Sequence, residues 1–286
     1  MENKDFAIFI LTHGRADNVV TYNTLISSGY TGKIYIIIDN EDKTYQKYYD
    51  NFGKENVIMF DKLEVSKTFD EADNFNDRRA IVYARNACFD IAKKLGIKYF
   101  MQLDDDYSVF LFRINQYGTI PKGHFKIKTM LDSVINSLLK FYISSNADSI
   151  AMAQGGDFIG GEGNSFYNYQ LRRKCMNTFI CSTDRPFQFV GRINEDVNTY
   201  TRIASTGKLF LTTPLVSILQ KETQSNDGGM TDIYLDNGTY IKSFYSVIFS
   251  PSSVRIGLMG NKNMRMHHKI KWNNAVPKII EEKYKK

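Results

Sequence analysis

The sequence predicts an α/β protein built on a mostly parallel, doubly wound sheet flanked by helices. Two observations carry this. Short apolar runs of strand length alternate with segments whose apolar residues recur at helical spacing, as in consecutive βα units. Three polar clusters each follow an apolar run at once, as expected where parallel strands end at a ligand-binding edge.

Residues 6–11 (FAIFIL) form a continuous apolar run of buried-strand length. A helix is expected over 18–28, a second buried strand over 33–38 (KIYIII), a helix over 44–51 and a short strand over 57–60. Segment 77–94 places Ile81, Ala84, Cys88, Ile91 and Ala92 at helical spacing, and Gly96 stops it. A fourth strand, 99–103, follows. Beyond Asp106 the pattern loosens: a helix over 129–143, strands over 149–153 and 175–182, a helix over 195–205 with Asn194 as N-cap, and a strand over 209–213. Segment 220–237, with Gly228-Gly229, reads as a polar loop. Repeats and Pro-, Gly- or Ser-rich linkers are absent, so 1–286 reads as one domain.

With 43% hydrophobic and 24% charged residues, the 286-residue chain has the composition of a globular protein with a sizeable core. No apolar run approaches the ~20 residues that span a bilayer. The N-terminal residues lack the pattern of a secretory signal. Cys88, Cys175 and Cys181 lack metal-binding spacing and read as reduced, buried thiols, which places the expected location in the cytoplasm. Net charge is +6, and 262–286 holds eight Lys/Arg against two Glu. That segment is either a solvated basic tail or a face for a polyanion such as DNA.

The clusters after the strands are Thr12-His13-Gly14-Arg15, Asp39, and Asp104-Asp105-Asp106. Parallel strands bring their carboxyl ends to one rim, so residues far apart in sequence are expected to meet there. Asp104 and Asp106, one residue apart, suit a hard divalent cation, Mn²⁺ or Mg²⁺, that neutralises a leaving diphosphate. A solvated acidic turn is the competing reading. Asp39 suits a ribose hydroxyl or base edge, Thr12 and Arg15 suit base or phosphate, and Asp105 counts with them among the nucleotide-sugar-binding residues. Arg85 and Asn86 would turn a polar helix edge to the same ligand, although an amphipathic face explains them nearly as well. Glu195 and Asp196 open a helix, where carboxylates favour the dipole, and either could serve as general base. His267 and His268 could complete a metal shell as neutral imidazoles. Gly155-Gly156 and Gly160-Gly161 read as close approaches or turns, and Trp272 as a stacking or packing ring.

The order strand–THGR, strand–D, helix–RN, strand–DDD and then Gly-Arg-x-x-Glu-Asp resembles GT-A glycosyltransferases of the family-2 type. FVGRINEDVNTY, QSNDGGMTDIY and HHKIKWNNAVPKII are similar to phage TET-associated glycosyltransferases, over about residues 6–280. The resemblance implies a Rossmann-like GT-A fold with an added acceptor-side region. Residues 1–106 would be the half that binds a nucleotide sugar, such as a UDP-sugar, 107–260 the acceptor side, and 261–286 a basic segment closing the metal site. It implies that Asp104 and Asp106 hold metal and diphosphate, that Asp196 is the base of an inverting transfer, and that the acceptor is a hydroxymethylated pyrimidine in double-stranded DNA. An adjacent His pair stands where such enzymes have one spaced His; His267 is the favoured ligand and His268 its rival. The alternatives are the same chemistry on a polysaccharide, lipid or protein acceptor, and a non-catalytic nucleotide- or DNA-binding module. A nucleotidyltransferase would also use paired aspartates, but a GxxxxGK[ST] loop is absent.

Overall fold

The computed structural model describes residues 4–114, 124–158, 172–220, 233, 238, 240–259 and 264–278. In chain order the elements that build the site are β1 (Phe6–Leu11), α1 (Val20–Ser27), β2 (Lys33–Asp39), α2 (Tyr45–Phe52), β3 (Val57–Phe60), α3 (Lys62–Ser66), α4 (Val82–Lys94) and β4 (Tyr99–Asp104). They are followed by β5 (Tyr107–Phe112), β6 (Phe125–Lys126), α5 (Leu131–Ser145), β7 (Ser149–Gln154), β8 (Phe179–Ser182), α6 (Glu195–Ile203) and β9 (Phe210–Gln220). Helix α7 (Ile241–Phe249), the hairpin β10 (Val254–Met259) and β11 (Arg265–Ile270), and the short α8 (Trp272–Ala275) complete the described chain.

Among the described residues the main sheet has the order β3-β2-β1-β4-β8-β7-β9-β5-β6. Strands β3, β2, β1 and β4 pair in parallel, and so do β7 and β9. Antiparallel pairing at β8 and β5 sets these two against the common direction. All six residues of β1 are buried, because the strand is covered on both faces. Phe6, Ile8 and Ile10 pack with Leu25, Tyr48 and the buried face of α5. Ala7, Phe9 and Leu11 pack with α4 and with Val197 and Tyr200 of α6. This explains why FAIFIL is apolar throughout rather than alternating.

Several boundaries differ from the sequence expectation. Helix α4 starts at Val82 rather than 77 because 70–79 is held by side-chain-to-backbone bonds from Asp70, Asp73 and Asp77, which compete with helix. Strand β8 is confined to Phe179–Ser182, and β9 extends to Gln220 by pairing with β7 and β5. Asn194 occupies the N-cap position of α6 in the left-handed region, but its amide donates to Ser246 Oγ instead of capping. Gly155-Gly156 lies in a short 3-10 turn. Gly160-Gly161, Gly228-Gly229 and most of 220–237 lie outside the described residues. Trp272 stacks on Tyr200 and serves packing. The three cysteines are free and buried. Among the described residues no helix is long and apolar enough to cross a membrane.

Gly29 has φ +85°, and a Cβ there would lie 2.6 Å from the Thr129 carbonyl oxygen. It ends α1 where Ser28 accepts from Leu131 N, joining α1 to the start of α5. Gly29→Ala is expected to destabilise the fold by about 2 kcal/mol through backbone strain, read as a lower midpoint in thermal denaturation.

Candidate functional site

Register alone gathers the strand-end clusters. Leu11 at the end of β1 stands opposite Ile37 in β2 and Asp104 in β4. Thr12, Asp39 and the aspartate triplet therefore leave the sheet at one rim.

At that rim the side chains divide into those held by the protein and those left available. Asp105 is buried, accepting from Thr12 Oγ1 at 2.7 Å and from Arg15 Nη1 at 2.9 Å. Thr12 also meets the Tyr48 hydroxyl at 3.1 Å, and that hydroxyl accepts from Arg15 N at 2.8 Å. These contacts brace the loop after β1 against the triplet. Buried Thr21 completes the brace: its Oγ1 donates to Asp104 O at 2.6 Å and accepts from Tyr107 N at 2.9 Å. Neither Thr21 nor Tyr48 carries a sequence signal, because each acts through its place in the fold.

Asp39 is buried beside His13 Nδ1 at 2.8 Å and Lys62 Nζ at 3.3 Å. Burial pushes its carboxyl up, but His13 and Lys62 outweigh that and hold it below the usual range. Lys62 was legible in principle, since it follows the end of β3 by two positions and obeys the same strand-end rule.

Arg85, 2% exposed, reaches from α4 between two carboxylates. Its Nη2 lies 2.9 Å from Asp104 Oδ1 and its Nε 2.8 Å from Glu195 Oε1. Burial works against its charge, and the two carboxylates outweigh burial. Phe179 and Phe189 flank the guanidinium. The expectations for Arg85 and Asn86 change accordingly. Arg85 is enclosed by protein, and Asn86 exchanges two hydrogen bonds with the Phe189 backbone, at 3.0 and 2.9 Å. Asn86 therefore fixes the segment that leads into α6.

Asp104 is pushed up to about 6 by burial, against the pull of Arg85 and with Glu195 and Asp105 adding to the rise. Asp106 is pushed up to about 7 by burial and by Asp104 and Asp105. Its Oδ1 is buried without a hydrogen-bond partner. Two crowded carboxylates, one with an unmet oxygen, fit a hard divalent cation. Among the described residues no three or more His, Cys, Asp or Glu side chains are grouped to hold a metal by themselves.

Glu195 is held by Arg85, whereas half-buried Asp196 accepts from its own helix at Val197 N, 2.7 Å. Burial and then Glu195 push Asp196 up to about 6. Lys174 and Lys242 face Asp196; burial lowers both ammonium groups and Asp196 opposes that. The His267 and His268 rings lie 4.2 Å apart, tilted by 31°. Burial and then Lys174 push them down, His267 to about 4 and His268 to about 3, so both are neutral. Lys174 and Lys242, and for His267 also Arg265, add to that lowering, and among the described residues no metal-sized group joins the pair to Asp104 and Asp106. His268 is 5% exposed, with neither ring nitrogen partnered.

A sequence model of the family described as TET-Associated Glycosyltransferase matches residues 6–229. No curated protein matches the sequence. Among solved structures, the mannosyltransferase PcManGT of Pyrobaculum calidifontis, in complex with GDP-Man and Mn²⁺, is similar at 10% identity and a TM-score of 0.50, over 85% of this chain and 64% of that one. S. aureus TarS 1-349 in complex with UDP matches at 10% identity and TM-score 0.44, over 85% of this chain and 64% of that one. The glucosyl-3-phosphoglycerate synthase of Mycobacterium tuberculosis matches at 8% identity and TM-score 0.44, over 94% and 87%. The chain thus spans about two thirds of the length of the first two. The likeness to the mannosyltransferase is one of fold: the architecture is that of the GT-A glycosyltransferases.

The raised carboxylates make a pH prediction. A carboxyl whose folded pKa lies above its unfolded value near 4 binds its proton more tightly when folded, so its contribution declines as pH rises from about 4 to about 7. Asp106→Asn is expected to stabilise the metal-free protein at pH 8 by about 2 kcal/mol and to flatten the fall of stability between pH 4 and 7. Urea denaturation across that range checks it.

Proposed function

The chain belongs to the TET-associated glycosyltransferase family, and from that premise we propose that it moves a sugar from a nucleotide-sugar donor, such as a UDP-sugar, to a hydroxymethylated pyrimidine of double-stranded DNA, with inversion. The observation that carries this is the buried bridge Asp104–Arg85–Glu195. It ties the end of β4 to the first turn of α6, and so sets Asp196 in fixed relation to the Asp104–Asp106 pair.

In this reading the clusters divide the work. Asp39, with His13 beside it, takes the ribose or base edge of the donor. Asp104 and Asp106 would hold Mn²⁺ or Mg²⁺, and such a cation would supply charge neutralisation for the departing diphosphate. Asp196 accepts the proton of the acceptor hydroxyl as its oxygen bonds to the anomeric carbon, and the bond from that carbon to the donor phosphate breaks with its electron pair leaving on the diphosphate. Burial has raised Asp196 towards neutrality, where a general base is most effective. Glu195 and Arg85 position it. Lys174, Lys242, Arg265 and the basic 262–286 segment suit the phosphates of a DNA acceptor. A target base reaches the site by leaving the stack, at a cost of a few kcal/mol.

The test is incubation with Mn²⁺, a panel of nucleotide sugars, and duplexes carrying 5-hydroxymethylcytosine or 5-hydroxymethyluracil. The expected product is a base heavier by one sugar residue, with release of nucleoside diphosphate. Transfer only to a polysaccharide, lipid or protein would overturn the acceptor, and donor binding without turnover on any acceptor would overturn catalysis. Asp196→Asn is expected to lower kcat by about 10²–10⁴-fold with donor affinity retained, measured by steady-state kinetics and donor titration.

A further inference from the structure

The segment between α3 and α4 holds one aromatic ring in water with an unusual amount of support. Phe75 is 69% exposed. Beneath it lies the Arg192 guanidinium, 5.8 Å from the ring centre and 2% exposed. Arg192 binds the two acids that flank the ring in sequence, Asp73 at 3.0 Å and Asp77 at 3.3 Å, and donates to the Tyr245 hydroxyl at 3.1 Å. That hydroxyl also bonds Asp73.

The backbone is held as firmly. Gly191 N and Arg192 N donate to Asp70 O and Glu71 O, at 2.8 and 3.0 Å. Phe75 N donates to Asp73 Oδ1 at 3.1 Å. Ala72 and Asn76 sit at φ +70° and +54°, an uncommon conformation for residues with a Cβ and a costly one for alanine. Charges of this segment are paired: Arg79 with Asp77 inside it, Arg78 with Glu41, and Asp73 and Asp77 with Arg192. The large apolar side chain that the segment exposes is Phe75, among exposed Asp70, Asn74, Asn76 and Arg79.

Its place in the fold is specific. Helix α4 runs back to the start of β4, so its first turn, and the segment before it, lie at the strands' carboxyl rim. One end meets Glu41, two residues past Asp39. The other is clamped to Arg192, three residues before Glu195, and Ala72 packs near Ile193, Tyr245 and Ile241. The ring is thus anchored on the side of α6 and α7, where Asp196 would meet the acceptor, rather than on the β1 and α2 side with Thr12 and Tyr48.

We propose that Phe75 is an acceptor-positioning residue that stacks on a nucleic-acid base, either the target pyrimidine outside the duplex or its immediate neighbour. This rests on the DNA acceptor proposed above. A base has a flat π-face and stacks on an aromatic ring whatever its sequence, and a ring carried on a backbone already held leaves less to order on binding.

The test compares wild type, Phe75→Ala and Phe75→Trp on a hydroxymethylated duplex. Phe75→Ala is expected to raise KM for DNA on the order of tenfold or more, leave KM for the donor sugar unchanged, and weaken duplex binding by fluorescence anisotropy. Phe75→Trp should restore both. Equal DNA affinity and KM in Phe75→Ala, with wild type active on DNA, overturns the stacking role alone. A selective rise in donor KM overturns it by assigning the ring to the donor. Wild type inactive on every duplex but active on another acceptor removes the DNA reading, and this inference with it. Thermal denaturation of the variants, with unchanged midpoints expected, separates stacking from loss of the fold.

Discussion

The guanidinium of Arg85 is the group on which the site depends. It is buried between Asp104 at the end of β4 and Glu195 in the first turn of α6. Those residues lie far apart in sequence and on different layers, and no backbone bond joins them. A buried cation without partners would be expensive, as would either buried carboxylate alone, so the three are stable only together. The bridge thereby sets where Asp196 stands relative to the aspartate turn. An enclosed charge network of this kind contributes definite geometry more than net stability.

Around that bridge the protein separates bracing carboxylates from reactive ones. Asp105 accepts from Thr12 and Arg15, and Glu195 from Arg85. Asp104, Asp106 and Asp196 are half-buried and crowded, and burial and neighbouring carboxylates raise all three. Crowded carboxylates disfavour one another's charge, which a cation would relieve. Adjacent residues of one motif thus acquire opposite roles, since alternate side chains leave a strand end in different directions.

The same division recurs in the segment around Arg192, where buried charges organise a surface loop. Asp73 and Asp77 serve the guanidinium, and the backbone accepts left-handed turns at Ala72 and Asn76. Arg85 ties the end of β4 to α6, and Arg192 ties the segment before α6 to the segment before α4, each by long-range ion pairs.

Sequence alone determined the apolar β1, β2 and β4, the helix carrying Arg85, and the three polar clusters that follow the strands, because strand burial and helical periodicity are local patterns repeated along the chain. The strand-end rule also brought Thr12, Asp39 and Asp104 to one rim before any coordinates. Tertiary structure decided which members of those clusters are tied to protein partners. Asp105 against Asp106, and Glu195 against Asp196, are identical in type and neighbours in sequence, and only packing against Arg15 and Arg85 distinguishes them. It also decided that Asn86 serves the Phe189 backbone, and that the neutral pair His267–His268 lies among lysines. These outcomes depend on partners about a hundred residues away, and the free energy of burying a charge is set by what surrounds it in space rather than by its neighbours in the chain.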